Sequence, residues 1–188
     1  MTERAIAPAW PISLPGLEVR ERREPFSVLR TWRPDAAVHS ALGGAFGLEW
    51  PVRPNTQAAA GSSTVLWLTP MEWAIVGLEH AEAGARAGRA LGGALHDVVD
   101  VGDGRVCFAI SGDHAGELLA KGCSLDLHPR AFAADACAQT LLAQVPVLLA
   151  RAEQAGTGDP VPALRVWADA SLAPWLRAWL SDAALEYA

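Results

Sequence analysis

Basic charge is scarce in this sequence: fifteen lysines and arginines face twenty-one aspartates and glutamates, a net charge of −6. A broad cationic surface for nucleic acid is therefore excluded. Cysteine is also scarce. Cys107, Cys123 and Cys137 form no CxxC pair and cannot all be bridged within one chain, so a reducing, cytoplasmic setting is expected. They also lack the short paired spacing of a structural zinc site, and no metal site is expected. No long apolar run exists. The longest, Leu141 to Ala150, contains Gln144 and Pro146 and is too short to span a bilayer. Pro8, Pro11 and Pro15 interrupt the first residues, which carry no secretory h-region. No GxGxxG follows a strand pattern, so the dinucleotide-binding fingerprint is absent. A soluble chain that contacts neither membrane nor nucleic acid is expected.

What is present is a hydrophobic fraction of 51%, enough to fill a sizeable core in one compact domain. Residues 1–24 hold the prolines and a charged cluster, and read as an extended N-terminal arm. That arm is either a disordered tail or a segment laid on a partner through Trp10 and Ile12. Residues 25–188 read as a single domain. Phe26 to Trp32 is a strand, and Pro34-Asp35 opens a helix that ends near Gly47. Residues 49–63 form a loop, and Thr64 to Thr69 and Glu72 to Gly77 a hinged strand pair. Glu79 to Leu95 is a helix of small residues, and His96 to Val101 a strand.

The second half repeats the early order. Arg105 to Ile110 alternates as a strand, and Ser111-Gly112-Asp113 starts a helix to Ala120. Cys137 to Gln144 and Val145 to Arg151 are strands, followed by a strand at Ala163 to Ala168. Ser171 caps a last helix with Leu172, Trp175, Leu176, Trp179 and Leu180 on one stripe. The fold class expected is α+β: two pseudo-symmetric ferredoxin-like β-α-β units fused in one domain.

Between helix and strand lies Lys121-Gly122-Cys123-Ser124-Leu125-Asp126-Leu127-His128-Pro129-Arg130-Ala131-Phe132, with the chain's only lysine. Asp126 and His128 share one side of an extended segment and have the spacing of an acid–base couple. A loop histidine beside proline is more often a structural hydrogen-bond partner, and that reading is the stronger. Lys121 fits a helix end, although a compact ammonium is a specific choice where every other basic residue is arginine. Ser111-Gly112-Asp113 has the geometry for an anion at a helix start, but Asp113 would repel one, which favours plain capping. Cys107 and Cys137 read as small buried hydrophobes. Leu125, Leu127 and Phe132 are too closely spaced for all to turn inward. The stretch is therefore expected to dock on a partner through Lys121, Cys123, Leu125, Asp126, Leu127, His128 and Phe132. The competing view makes Cys123 a thiolate activated by Lys121.

Several of these runs carry a family resemblance. Leu66-Trp67-Leu68-Thr69-Pro70-Met71-Glu72-Trp73, Val99-Asp100-Val101 with Arg105-Val106, Leu118 through Pro129, and Cys137-Ala138-Gln139-Thr140 together resemble the gamma subunits of heterotetrameric sarcosine oxidases. The resemblance runs from about Phe26 to the C-terminus. It implies the folate-binding-domain fold of glycine-cleavage aminomethyltransferases. It also implies membership of a flavoenzyme complex of sarcosine catabolism and one-carbon metabolism. That complex would demethylate sarcosine to glycine with formation of hydrogen peroxide and of formaldehyde or 5,10-methylenetetrahydrofolate.

By that resemblance FAD, FMN, NAD and tetrahydrofolate belong to other subunits. This chain would be a non-catalytic support for the alpha subunit, beside beta and delta. Where the aminomethyltransferases carry catalytic carboxylates, this chain has Gln57-Ala58-Ala59-Ala60-Gly61 and Val145-Pro146-Val147-Leu148-Leu149. No catalytic and no cofactor-binding residue is assigned. The alternative is a stand-alone folate-binding protein of iron–sulfur maturation or one-carbon transfer type, which Lys121-Gly122-Cys123 resembles. The continuation Ser-Leu-Asp-Leu-His departs from that motif. The purified chain is accordingly expected to carry no stoichiometric flavin and to turn over no sarcosine. An absorbance spectrum with a flavin band from the isolated chain would refute this.

Overall fold

The computed structural model describes residues 10–154 and 161–188. In chain order the elements are β1 (Ile12–Leu14), β2 (Leu17–Arg22), β3 (Phe26–Thr31), α1 (Ala36–Phe46), β4 (Gln57–Ala60), β5 (Ser63–Thr69) and β6 (Glu72–Val76). They continue with α2 (His80–Leu91), β7 (His96–Asp100), β8 (Arg105–Ser111), α3 (Ala115–Ala120), β9 (Cys137–Leu142), β10 (Val145–Gln154), β11 (Val161–Asp169) and α4 (Ala173–Ala183). This is a mixed α/β fold with two sheets. No helix among the described residues is long and apolar enough to cross a membrane.

Two compact units divide the chain, and neither is contiguous. One comprises residues 23–105 and 135–138. Its five-stranded sheet has the order β4-β5-β6-β3-β7, with β3 antiparallel to both neighbours. Asp35 caps α1 by accepting from the Val38 amide at 2.9 Å, and Gly47 in the left-handed region ends it, as the sequence predicts. The small residues of α2 let it pack closely: Ala83, Ala87 and Leu91 are buried with Leu42 and Phe46 of α1 and with Leu29, Val65, Trp73 and Ile75 of the sheet. Residues 49–63 are less loop-like than expected. Gln57–Ala60 adds an edge strand to β5, a pairing that an alanine run does not announce.

Half-buried His39 sits edge-on to Trp73 of this core, and its buried Nε2 has no hydrogen-bond partner. Burial lowers its pKa from 6.5, while Asp35 partly offsets the shift by raising it. The unfolded chain thus binds the proton more readily. Stability from this site is full above the ordinary value of 6.5 and is lost as pH falls through 6.5 toward the lowered folded value. Melting temperature should fall as pH drops through 6.5, and His39→Gln should flatten that slope. An unchanged slope in the variant would assign the acid sensitivity to other groups.

The other unit takes the described parts of residues 1–22, 106–134 and 139–188. Its sheet runs β1-β2-β8-β11-β10-β9. Here the expected arm of residues 1–24 is corrected. Extended it is, but β1 and β2 form a hairpin whose second strand pairs with β8, Val19 opposite Ile110. Ile12 and Val19 are fully buried, and half-buried Trp10 sits edge-on to Phe108, so both expected anchors are engaged within the chain. Residues 1–9 lie outside the described residues. The two halves share the order strand, helix, hairpin; then β6 leads to helix and strand, whereas β10 leads to strand and helix. The sheets consequently differ in strand order.

Ser111-Gly112-Asp113 does not cap α3, whose N-cap position is His114 with no side-chain cap bond. Gly112 instead lies against the β1–β2 turn, where a Cβ would stand 2.2 Å from the Gly16 carbonyl oxygen. The turn is a packing device, and the six-residue helix beyond it offers no anion cradle. Ser171 likewise is not the cap of α4. Asp169 accepts from the Ser171 amide at 2.9 Å, and Pro174 opens the helix that follows. The buried residues of α4 are Ala173, Leu176 and Leu180. Trp179 is half-buried, whereas Leu172 and Trp175 are exposed, Trp175 donating its indole N–H to the Ala143 carbonyl at 3.3 Å, so the expected stripe is narrowed.

Trp179 packs on Gly122, where any Cβ would stand 2.5 Å from the ring carbon Cζ2 and 3.0 Å from the Ala143 nitrogen. Gly122→Ala should therefore destabilise the chain by about 1–3 kcal/mol through overpacking. Trp179→Leu in the same chain should recover part of that loss in a denaturation double-mutant cycle. Purely additive losses would mean that the contact does not dictate the glycine.

Candidate partner-docking loop

Residues 121–134 leave α3 and return to β9, and the structure explains most of this run as internal bracing. Lys121 ends α3 and reaches the far end of the chain. Its Nζ donates to the Ala183 carbonyl at the close of α4, pairs with Glu186 at 2.6 Å, and stands 4.7 Å from the Tyr187 ring centroid. A carbonyl, a carboxylate and an aromatic face converge on one point. A compact ammonium suits that geometry and a planar fork does not. Lys121 holds the Glu186 carboxyl below its usual range; burial first and then Glu186 push the Tyr187 phenol up to about 12. Tyr187 in turn stacks on His114 at 4.6 Å.

Cys123 is buried, and its amide donates to Leu119 at 2.9 Å. With Lys121 committed to the C-terminal segment and the thiol enclosed, the activated-thiolate view has no geometric support. Leu127 and Phe132 are buried as well, and Leu125 is half-buried. As expected, the three do not all turn inward: two do, and Leu125 stays half-buried. Arg151 makes this possible. From β10 its Nε donates to the Phe132 carbonyl at 2.7 Å and its Nη2 to the Leu127 carbonyl at 2.5 Å, clamping both ends of the loop's apolar turn. Burial lowers the pKa of this guanidinium, though a group so basic stays charged. Sequence reading missed Arg151. Its signal was a charge closing an otherwise apolar strand.

Asp126 and His128 do come together, but as a turn. The Asp126 carboxylate accepts from the His128 amide at 2.9 Å, and His128 Nδ1 accepts from the Arg130 amide at 3.2 Å. That bond leaves the proton of a neutral ring on Nε2 and spends the basic nitrogen on structure. The acid–base couple is not formed. Cys137, at the end of the stretch, donates to the Thr56 carbonyl at 3.2 Å, and burial raises its thiol to about 12. Among the described residues, no group of three or more histidines, cysteines and acids is placed to hold a metal ion.

What remains outward is Ser124, Asp126, His128, Pro129 and Arg130, with Leu125 half-buried among them in sequence. A cleft of about 400 Å³ opens beside it, with Leu125, Leu127 and Leu164 in its lining and Asp113, Glu117 and Asp126 among the charged groups. The cleft thus sets apolar side chains among charged ones.

Comparison with known proteins bears on what that surface serves. Residues 30–186 match the model of the sarcosine oxidase, gamma subunit family. The chain belongs to that family. A sarcosine oxidase subunit gamma from Corynebacterium sp. (strain P-1) is 35% identical over 156 residues, 82% of this chain and 73% of the relative. One from Arthrobacter sp. is 39% identical over 119 residues, 63% of this chain and 59% of the relative. The aligned part thus spans somewhat under two thirds of the Arthrobacter protein.

Among solved structures, a chain of the heterotetrameric sarcosine oxidase from Corynebacterium sp. U-96 superposes with a TM-score of 0.77 at 31% identity, covering 91% of this chain and 85% of that one. The glycine cleavage system aminomethyltransferase T from Bartonella henselae superposes at 0.61 with 14% identity, a likeness of fold alone. The family resemblance read from Lys121 to Pro129 and from Cys137 to Thr140 is thereby confirmed. A gamma subunit of this family has here the fold expected of the aminomethyltransferase type.

Proposed function

We propose that this chain is a non-catalytic assembly subunit of a cytoplasmic heterotetrameric sarcosine oxidase. It docks on the alpha subunit through the outward face of the 121–132 loop. The flavins, NAD and tetrahydrofolate would reside on other subunits, where sarcosine is demethylated. The observation that carries this reading is the loop itself. Its chemistry-bearing residues are consumed in bracing one another, and what they brace is a shaped surface of Asp126, His128 and Arg130, with Leu125 half-buried among them in sequence. Family membership supports the setting, and the shared order of strand, helix and hairpin supports reading the halves as diverged ferredoxin-like units.

Of the interface residues expected from sequence, Leu125, Asp126 and His128 belong to the contact face. Lys121, Cys123, Leu127 and Phe132 act from within by holding it. Truncating a central interface residue commonly costs more than about 1 kcal/mol, and a charge there costs more. Leu125→Glu, co-expressed with the other subunits, should lower recovery of the complex at least tenfold, with the isolated chain's melting temperature unchanged. Cys123→Ser should assemble and turn over sarcosine nearly normally. A Leu125→Glu complex of normal yield would move the interface elsewhere. A Cys123→Ser complex that assembles without turnover would make the loop catalytic and overturn the proposal.

A further inference from the structure

The unit built on the five-stranded sheet carries a second exposed apolar surface, far from the loop in sequence. Beyond β3, Trp32 is 61% exposed; before β7, Leu95 is 77% exposed; within β7, Val99 is 48% exposed. The first two line a cleft of about 660 Å³ with Thr69, Pro70 and Met71 of the β5–β6 turn. Its walls are tied to one another by the main chain. Trp32 N donates to the Leu95 carbonyl at 3.2 Å, and Thr31 N to the Met71 carbonyl at 3.0 Å. The Thr31 hydroxyl adds a bond to Leu95 O at 3.2 Å. Arg33 follows with φ 46, a left-handed conformation unusual for arginine, and its guanidinium lies 5.6 Å from the Trp32 ring centroid. Trp32 is thus held outward as part of a preformed cleft, which reduces the ordering cost of binding.

The cleft continues into an open sheet edge. Among the described residues β7 pairs only with β3, and its other side has no strand partner. By the two-residue period, Leu95, Asp97 and Val99 form one row along that strand. The charge of the lining is one-sided. Arg30 is the sole lysine or arginine in it and is ion-paired with Glu72, while Asp97, opposite Arg30 across the strands, brings a second carboxylate. With His96 neutral, one cation against two carboxylates leaves the lining at −1.

We infer that this edge receives an extended segment of another subunit of the complex, added alongside β7. The segment would place one bulky apolar side chain between Trp32, Met71 and Leu95, and a lysine or arginine against Asp97. The inference rests on the assembly reading above and adds to it a second, separate contact. The chemistry favours this occupant over two others. A second copy of the chain pairing through β7 would set one acidic strand, carrying Asp97 and Asp100, beside another, which is unfavourable across a strand pair. A small molecule would fill the cleft but leave exposed the apolar row that runs on to Val99.

The test uses the co-expressed complex with Leu95→Glu, Asp97→Lys and, as a comparison, Leu125→Glu. All three replaced side chains are exposed or half-buried, so the melting temperature of each isolated chain serves as the folding control. Leu95→Glu should weaken assembly at least tenfold. Asp97→Lys should slow association and invert its dependence on salt. Amide hydrogen exchange of residues 96–100 should slow at least tenfold in the wild-type complex relative to the isolated chain.

Unchanged exchange together with normal assembly of Leu95→Glu would overturn the inference, while loss of assembly by Leu125→Glu alone would leave the loop reading intact. Loss by Leu95→Glu with a normal Leu125→Glu complex would support the edge and refute the loop. Two results would assign the surface to another occupant and overturn the inference. One is sedimentation of the isolated wild-type chain as a dimer that Leu95→Glu makes monomeric. The other is a small molecule detected by mass spectrometry on the wild-type chain, lost in Leu95→Glu, with assembly unaffected.

Discussion

The loop between α3 and β9 owes its shape to one guanidinium. Without Arg151, the Leu127 and Phe132 carbonyls would face a half-buried space with no donor of comparable strength, and an unpaired buried carbonyl costs about 1–3 kcal/mol. With it, a twelve-residue irregular segment turns two apolar side chains inward and keeps its polar ones out. Arginine suits this position because its planar fork reaches two acceptors at once. The charge serves to fold the loop, with two of the loop's own carbonyls among its partners.

A second constraint acts at the loop's entrance. Gly122 admits the Trp179 ring and its carbonyl accepts from Ala143, while Lys121 seizes the last turn of α4 and the residues beyond it. Three segments distant in sequence are thus fastened at one dipeptide. The motif that looked chemically rich from sequence is rich because many structural requirements meet there. A lysine chosen over arginine, a glycine that cannot grow a methyl and an enclosed cysteine each follow from a neighbour that sequence order does not reveal.

Much of the fold was legible locally. The capped α1, the β5–β6 hairpin and the strand β8 each carry a strong short-range pattern, and the structure has them within a few residues of the expected bounds. What failed depended on distant partners. Prolines near the N-terminus suggested a free arm because nothing local shows that Val19 will lie beside Ile110. Alanines hid β4, whose strand character comes from β5. The apolar stripe of α4 was right at Leu176 and Leu180 but drawn too wide, since Trp175 and Leu172 look as apolar as they do. At the loop, residue types were read correctly as functional in kind, yet the division between bracing and contacting residues required Arg151 in place. The exposed Trp32 had a local signal, an aromatic followed by Arg33-Pro34 just past a strand, but no means of showing that Leu95 would join it.

The interleaving of the two units has a consequence for how the molecule comes into being. The hairpin β1–β2 is made first but finds its strand partner about ninety residues later, and the five-stranded unit takes its final piece, residues 135–138, after most of the chain has passed. Such long-range pairings make folding slow, because loop closure must precede the contacts that reward it. During synthesis the early strands emerge with an unpaired edge, and neither unit is complete until the chain has passed residue 138. The molecule therefore matures late and as a whole, so cutting it between its halves would part β1 and β2 from β8 and residues 135–138 from the five-stranded unit.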